Sequence, residues 1–361
     1  MGNKLSQLAG SPLLQRIELC AIVAILAITV TSARVAKAEG HSALPAVQAS
    51  ATLIALGKQL FSDPRLSSDG LISCASCHIP AKDFADGRRV AIGVEGKAGT
   101  RNTPSLASVG RSARSTFFWD GRRTRLEQAV LDPFTNPVEM GLHNDDVLMG
   151  RLRHIPAYRD RFKQAFVDET PPLQDAEIAQ ALSAYIRSID HRPSAYDRYA
   201  SGKNPASLSL QARMGLAVFA GKGRCAQCHL LEGTPPALTD EAFHHTGVGF
   251  SEVQQRLPQL TRDAIERSLQ GADLGNRIAT HTDEAQLGRF NVTHHVADIG
   301  MFRTPSLRGV AATAPYMHDG SVRTLAEAVD REVYYRSLSS GHPISLTTEE
   351  RIDLVVFLQA L

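Results

Sequence analysis

The sequence is poor in cysteine and in aromatic residues, with five cysteines and one tryptophan among its 361 residues. Four of the cysteines fall in two short strings, which leaves none for a disulfide framework elsewhere once Cys20 is set aside. The apolar run at 19–30 is shorter than the roughly 20 residues that a membrane-spanning helix needs. Basic and acidic residues nearly balance, at 39 against 37, and the absence of a basic stripe argues against a nucleic-acid partner.

The N-terminal residues have the pattern of a secretory signal. Lys4 and Arg16 precede the apolar run, and the small-residue site Ala36-Lys37-Ala38 follows it. This order predicts a signal peptide over 1–38 and export of the remaining chain. An uncleaved N-terminal membrane anchor is the alternative, because the segment before residue 19 is long. Cleavage would remove Cys20 and leave 35 basic and 36 acidic residues, so that the mature chain is close to neutral.

Two strings have the form C-x-x-C-H: Cys74-Ala75-Ser76-Cys77-His78 and Cys225-Ala226-Gln227-Cys228-His229. This spacing is the attachment signal of c-type haem, in which both thiols bond the porphyrin and the histidine binds the iron. The sequence therefore predicts two covalently bound haem c groups. The alternatives are a Cys2His2 zinc site and a disulfide between the strings. Haem c is attached outside the bacterial cytoplasm, so export to the periplasm agrees with this chemistry.

The chain also repeats itself across the two strings. A helical stretch that ends in phenylalanine precedes each string, and a Thr-Pro-Ser-Leu and an Asp-Gly pair follow each one. The paired segments are 56–61 and 214–219, 103–106 and 304–307, and 119–121 and 318–320. This pattern predicts a duplicated cytochrome-c-like domain. The second copy carries about 50 additional residues after its string, which predict a large loop that includes His244 and His245.

Few strand signals occur, so the predicted fold is mainly α, with two cytochrome-c-like haem domains related by internal duplication and joined by long loops. Apolar residues at helical spacing predict helices over 175–189, 210–220 and 348–361. A stretch rich in proline and serine, 191–210, predicts the linker. The predicted units are a signal peptide at 1–38, an N-terminal haem domain at 39–195 and a C-terminal haem domain at 196–361.

Together the motifs resemble one family. The ordered strings are Arg-Asn-Thr-Pro-Ser-Leu from 101, Phe-Trp-Asp-Gly-Arg from 118, Asn-Pro-Val-Glu-Met-Gly from 136 and Ala-Pro-Tyr-Met-His-Asp-Gly from 314. With the two haem strings, they resemble the bacterial dihaem cytochrome c peroxidase superfamily, which includes the methylamine-utilisation protein MauG. The resemblance covers essentially all of the predicted mature chain.

The resemblance implies a role for each motif. His78 would bind the iron that reacts with peroxide, and His229 the iron that transfers electrons. Trp119 would lie between the two haems, and Glu139 would be the distal acid–base group of the first haem. A carboxylate near an open iron face suits that role in its own right, because it can take a proton from peroxide and return it. The resemblance also implies one calcium ion, bound by Asn102, Thr313 and Pro315.

Three positions depart from the family pattern. Where typical members place a second histidine ligand to the first iron, this chain has Val94, which predicts a first haem that is five-coordinate or water-bound at rest. Where they place a methionine ligand to the second iron, it has Glu332. The nearby string Val-Tyr-Tyr-Arg, from 333, resembles the string whose tyrosine binds the second haem iron in MauG, and this resemblance favours Tyr334, with Tyr335, Met317 and His318 as alternatives. The amide expected in the distal pocket is replaced by Ala129, with Gln128 one residue early.

These features predict an exported peroxidase that reduces hydrogen peroxide with electrons from a small periplasmic cytochrome c or cupredoxin. A MauG-like enzyme that oxidises side chains of a partner protein is the first alternative, favoured by Val94 and Tyr334. A dihaem electron carrier without catalysis is the second, and Glu139 argues against it. Members of the family often form homodimers, which makes a homodimer a further expectation.

Overall fold

Helices dominate the computed structural model, which describes residues 49–107, 109–110, 116–166, 173–189 and 192–361. Within these ranges the chain forms sixteen α-helices and two three-residue strands, which confirms the mainly α class. The predicted signal peptide at 1–38 lies outside the described residues. None of the helices in the described ranges combines the length and the apolar character that crossing a membrane requires.

The helices fall into two series around the haem strings. Those of the N-terminal half are α1 (Ala51–Ser62), α2 (Cys74–Cys77), α3 (Leu126–Ala129), α4 (Asp132–Thr135), α5 (Asp145–His154), α6 (Pro156–Ala165) and α7 (Asp175–Ser188). Those of the C-terminal half are α8 (Ala195–Ala200), α9 (Leu210–Ala220), α10 (Phe250–Val253), α11 (Leu257–Leu269), α12 (Leu274–Thr280), α13 (Thr282–Ala285), α14 (Phe290–Thr293), α15 (Leu325–Ser340) and α16 (Thr348–Leu358). The strands are β1 (Phe243–His245) and β2 (Met301–Arg303), which pair antiparallel.

Helix α1, which precedes the first haem string, packs against α7. The Ser50 side chain caps α1 by accepting a hydrogen bond from the Leu53 amide. Gly57 lies where the two helices cross, and a Cβ at this position would be 1.9 Å from the carbonyl oxygen of Ala181. The missing side chain therefore sets how closely α1 approaches α7.

Helix α9 packs against α16 in the same way in the second half. A Cβ at Gly215 would be 2.0 Å from the carbonyl oxygen of Asp353. Helix α16 is preceded by Thr347, its N-cap, which forms the predicted capping box with Glu350. The three predicted helices are confirmed, with α7 and α16 ending one and three residues earlier than expected.

Buried apolar side chains form two main clusters in the described residues. One runs from Leu56 to Ile189 and the other from Tyr196 to Leu361. Both lie within one compact unit, Ala49–Leu361, so the border at 195/196 stays a prediction. Part of the predicted linker is ordered: α8 lies within it, and its Tyr196 packs edge-on against Phe357 at 5.3 Å.

The additional segment after the second haem string is mainly helical, and the prediction of a large loop is wrong. Helices α10 to α14 lie within it, and a small cluster of Ala264, Leu287 and Phe290 is buried between them. Helix α11 carries apolar residues at helical spacing on the face that packs against this cluster. The segment therefore has its own small core, and β1 within it pairs with β2.

Candidate functional site

Two cavities of similar size hold the two haem strings. The first is lined by Cys74, Cys77 and His78, and the second by Cys225, Cys228 and His229. All four of these thiols are free in the structure. Each cavity thus presents two cysteines and a histidine from one C-x-x-C-H string on a single wall, as covalent attachment of one porphyrin requires.

The local fold explains why the thiols and the histidine face the same cavity. In each string the histidine amide donates to the carbonyl oxygen of the first cysteine at 2.9 Å, which closes one helical turn. The first string is α-helical and the second is a 3-10 turn, Cys225–Gln227. One turn brings residues four apart onto one side of the backbone, so each string presents its ligands together.

Both histidines are held through the Nδ1 atom of the ring. His78 Nδ1 lies 2.8 Å from the carbonyl oxygen of Phe84, and His229 Nδ1 lies 3.0 Å from that of Leu238. A bond from Nδ1–H to a carbonyl leaves Nε2 as the nitrogen that can bind a metal, and this arrangement is common for metal-binding histidines. Burial lowers the pKa of both histidines, which favours the neutral form that ligation requires.

Buried polar atoms without partners test whether haem fits the cavities. On the first cavity these are Arg101 Nε and Nη1 and Arg122 Nε, and on the second Arg336 Nε and His318 Nδ1. The three guanidinium groups are bonded through their other nitrogens, but a buried N–H without a hydrogen bond is costly, and a carboxylate would satisfy it with a charge-assisted hydrogen bond. Haem carries two carboxylates, so the residues present fit a haem in each cavity.

Glu139 lies on the wall of the first cavity. Its Oε1 accepts a hydrogen bond of 2.8 Å from Asn136 Nδ2, and its backbone is held by a turn from 136 to 141. Burial raises the pKa of Glu139, and the positive charge of Arg122 opposes that rise. The carboxyl group is therefore oriented, and burial gives it a higher pKa than that of an ordinary glutamate.

The loop of Glu139 is positioned by the segment that carries Val94. The Val94 amide donates to the Glu139 carbonyl oxygen at 3.0 Å, and a Cβ at Gly93 would be 1.9 Å from the Val138 carbonyl oxygen. Val94 is buried but does not line the first cavity. Among the described residues that line this cavity, His78 is the only histidine.

Trp119 lines both cavities. Its indole Nε1 donates to the carbonyl oxygen of Asn102 at 2.9 Å, and its own carbonyl oxygen accepts from the Arg303 amide at 2.9 Å. The backbones of both halves therefore hold Trp119 on the wall of both cavities, and its role between the haems stays a prediction.

The structure does not bring Tyr334 to the second cavity. Its side chain is 58% exposed, while helix α15 lines the cavity with Ala328, Val329, Glu332, Val333 and Arg336. In an α-helix residues three and four apart share a face, so positions 329, 332, 333 and 336 face the cavity and position 334 faces away. Tyr335 is also absent from the wall, and its hydroxyl donates to the Gly247 carbonyl oxygen at 3.3 Å.

Glu332 is the cavity residue whose importance the sequence reasoning missed. Its Oε2 lies 3.5 Å from Arg336 Nε. Burial and then the Glu332 charge raise the pKa of the Cys225 thiol to about 12, and burial, Cys77 and Glu139 raise that of Cys74 to about 12. Each haem string thus has one glutamate close by. The signal was present in the sequence, because Glu332 occupies the family's ligand position.

The residues implied for calcium also lie on the wall of the second cavity. Asn102, Thr313 and Pro315 all line it. The side-chain amide of Asn102 donates to the carbonyl oxygen of Arg88 at 2.9 Å, which leaves its side-chain oxygen as the atom that can bind a cation. Calcium at this position stays a prediction.

Two further predictions concern polar residues near the cavities. Gln128 is exposed, and the buried Ala129 takes its place on the first cavity, so no amide enters the distal pocket from α3. His244 lines the second cavity and pairs with Asp240, with 2.7 Å between Nε2 and Oδ2. This pair was not predicted from the sequence.

Comparison with protein families agrees with this geometry. Residues 51–205 match the family model described as di-haem cytochrome c peroxidase, and residues 301–335 match one described as RoxA-like, cytochrome c-like. The first match contains one haem string, Trp119 and Glu139, and the second contains the beginning of α15.

Individual relatives extend the match over nearly the whole chain. Cytochrome-c peroxidase IdrP1 of Pseudomonas sp. (strain SCT) is 35% identical over 96% of this chain and 92% of its own length. Methylamine utilization protein MauG of Methylorubrum extorquens is 33% identical, over 85% and 77%. The crystal structure of a MauG-like protein associated with microbial copper homeostasis superimposes with a TM-score of 0.69 at 32% identity, over 87% and 90%.

Proposed function

The chain belongs to the di-haem cytochrome c peroxidase family, which implies two haem c groups, and from this we propose that it is an exported peroxidase. In this proposal hydrogen peroxide, two protons and two electrons give two molecules of water, and a small periplasmic cytochrome c or cupredoxin supplies the electrons. One observation carries the proposal: Glu139 lies in the cavity of the first haem string, and Trp119 links that cavity to the second.

The haem held by Cys74, Cys77 and His78 would supply a redox-active iron that binds peroxide. Glu139 performs the proton transfer. Asn136 holds Oε1, so Oε2 is the oxygen that would take a proton from one peroxide oxygen and return it to the other. Burial raises the pKa of this carboxyl group toward the working pH. A group with such a pKa can both accept a proton and donate it again.

Other residues of the chain prepare the site. Arg122 places a positive charge near Glu139, which favours the ionised carboxylate before peroxide arrives. Trp119 is held by its bond to Asn102 and lines both cavities, which makes its indole the intervening group for electrons that pass between them. We further propose that the first haem is open at rest, since Val94 is buried away from the cavity wall.

Internal duplication is also part of the proposal, and matched contacts in the two halves support it. Phe61 lies 6.2 Å from the ring of His78, and Phe219 lies 6.5 Å from that of His229. The hydroxyls of Ser105 and Ser306 each donate to a backbone carbonyl in the loop that holds the histidine of the same half. A common ancestor explains why two halves with different ligands retain the same supports.

The alternative with specific support is a MauG-like enzyme that oxidises a partner protein. Val94 favours it as much as it favours a peroxidase, because an open first haem serves either reaction. The relative named MauG is as similar to this chain as several named peroxidases. The two functions differ only in the molecule that supplies the electrons.

The test uses the full-length protein with both haems. We expect a high-spin ferric signal from one haem in electron paramagnetic resonance, rapid reaction with peroxide, and oxidation of reduced cytochrome c or cupredoxin. Two fully low-spin haems that do not respond to peroxide would contradict both enzyme proposals. Peroxide reactivity without turnover of either donor would favour a protein substrate.

A further inference from the structure

Helix α15 presents one carboxylate to the second cavity. Thr324 caps the helix by accepting from the Glu327 amide at 3.1 Å, and this fixes where the first turn begins. Counted from there, the face toward the cavity is Leu325, Ala328, Val329, Glu332, Val333 and Arg336. Glu332 is the only side chain on this face of α15 with an atom suited to bind iron.

Most other ligand-type atoms on the wall are engaged elsewhere, whereas His318 Nδ1 has no hydrogen-bond partner. His244 Nε2 is paired with Asp240, and the Tyr316 hydroxyl donates to the Val310 carbonyl oxygen at 3.1 Å. His318 Nε2 lies 2.7 Å from Gln286 Oε1, and its ring stacks on Phe302 with 3.5 Å between centroids.

Besides Glu332 and the Nδ1 atom of His318, whose counterpart in the first half is the non-ligating Trp119, the remaining donor is Met317. Its backbone φ is +71°, and Phe118, its counterpart in the first half, has a φ of +67°. Phenylalanine cannot bind iron, so the turn that places residue 317 on the wall exists in both halves without serving ligation. The position of Met317 therefore has an explanation other than a bond to iron.

Charge favours Glu332 further. Its ion pair with Arg336 is loose, at 3.5 Å, and a haem in the cavity would cut the carboxylate off from water. A carboxylate confined in this way costs free energy unless a positive charge compensates it. Ferric haem has a net positive charge at the iron, and an oxygen bound to it would remove the cost.

We infer that the carboxylate of Glu332 is the sixth ligand of the second haem iron, in place of the Tyr334 that the sequence favoured. This rests on the proposed function, in that haem occupies the second cavity. An anionic oxygen ligand lowers the reduction potential of a haem, whereas a methionine raises it. The second haem would then be harder to reduce than a methionine-bound haem at the same position.

The experiment compares variants of the full-length dihaem protein by electron paramagnetic resonance, magnetic circular dichroism and redox titration. Glu332→Gln is expected to change the ferric spectrum of the second haem and to shift its midpoint potential upward, while the signals of the first haem stay as they are. Asp330→Asn is the matched control, because it makes the same chemical change on an exposed residue of α15. It is expected to leave both haems unchanged.

A second variant keeps the inference testable if Glu332→Gln loads haem poorly. Glu332→Met restores a ligand, and we expect a further upward shift of the potential, because the thioether would bind the same iron. An unchanged potential in Glu332→Met would overturn the inference. So would a second-haem spectrum that changes in Met317→Leu, in a His318 variant or in Tyr334→Phe but not in Glu332→Gln. A wild-type protein that holds two haems without turning over peroxide would instead contradict the proposed function, with the ligand still read from the spectra.

Discussion

The carboxyl group of Glu139 is held at one oxygen and left open at the other. Asn136 occupies Oε1, and the turn that contains both residues limits how far the side chain can move. A single oxygen is thus available to serve as base and then as acid. Because Oε1 is held by Asn136 and Oε2 is open, the carboxyl group has a fixed orientation although it lies on a loop.

Replacing Glu139 tests this role directly. Glu139→Gln keeps the shape and the bond to Asn136 but removes the base, and we expect the turnover number to fall by about 10²- to 10⁴-fold. Haem content and the spectra of both haems are expected to stay as in the wild type. Glu95→Gln is the control, since Glu95 is exposed and pairs only with Lys97 at the surface. Full peroxide reactivity in Glu139→Gln would remove Glu139 from the mechanism.

The pH profile gives a second measure of the same group. Because the base must be ionised and burial raises the pKa of Glu139, activity is expected to be full above that pKa and to fall as the pH drops through it. The acid limb of the rate profile should therefore lie above the ordinary value of a glutamate, near 4.3. An acid limb at or below that value would show that another group controls the rate.

At the level of whole helices, the packing of α1 against α7 places Phe61 beside the histidine of the first haem string. Phe61 at the end of α1 packs against Tyr185 of α7, with 5.1 Å between ring centroids, and then reaches His78. The α9–α16 pair repeats this with Phe219 and Phe357. Helix packing in each half is thereby connected to the orientation of the histidine that binds iron.

We expect Gly57→Ala to lower the free energy of unfolding by about 1–3 kcal/mol, because the added Cβ would overlap the Ala181 carbonyl. The measurement is the denaturant midpoint of the haem-loaded protein. Gly150→Ala is the control: it lies within α5 with no atom within 4 Å of an added Cβ, and we expect a gain of about 0.5–1 kcal/mol. A stable Gly57→Ala variant would show that α1 can move without cost.

In the molecule as a whole, the two cavities share part of their walls. Both cavities are lined by Asn102, Thr103, Trp119 and Arg303. The backbone N–H of Asn102 donates to the His318 carbonyl oxygen at 2.9 Å. The two cavities therefore form a pair of sites with a common wall, and a substitution in that wall lies close to both cavities.

Trp119→Phe tests this coupling. We expect the first haem to react with peroxide in a single turnover as before, because Glu139 and His78 are unaffected. Steady-state oxidation of the electron donor is expected to slow, because phenylalanine is much harder to oxidise than tryptophan. Stopped-flow spectroscopy of both haems measures the two steps separately. Equal slowing of both steps would indicate a packing defect instead of an electron-transfer role.

The chemistry of the strings was predictable from the sequence because it is local. A C-x-x-C-H string needs only one turn to bring its three ligands together, and the helices with clear apolar periodicity formed where they were expected. The helices after the second string were not predicted, because the small core on which α11 packs is formed only in the tertiary structure.

The wall of the second cavity was decided only by tertiary structure. Glu332 and Tyr334 are two residues apart in sequence, and side chains at this spacing on a helix point in nearly opposite directions. Which of them meets the haem depends on the rotation of α15, which its cap at Thr324 and the burial of Leu325, Val329 and Val333 together set. A motif identifies the helix that carries a ligand, and the packing of that helix selects the residue.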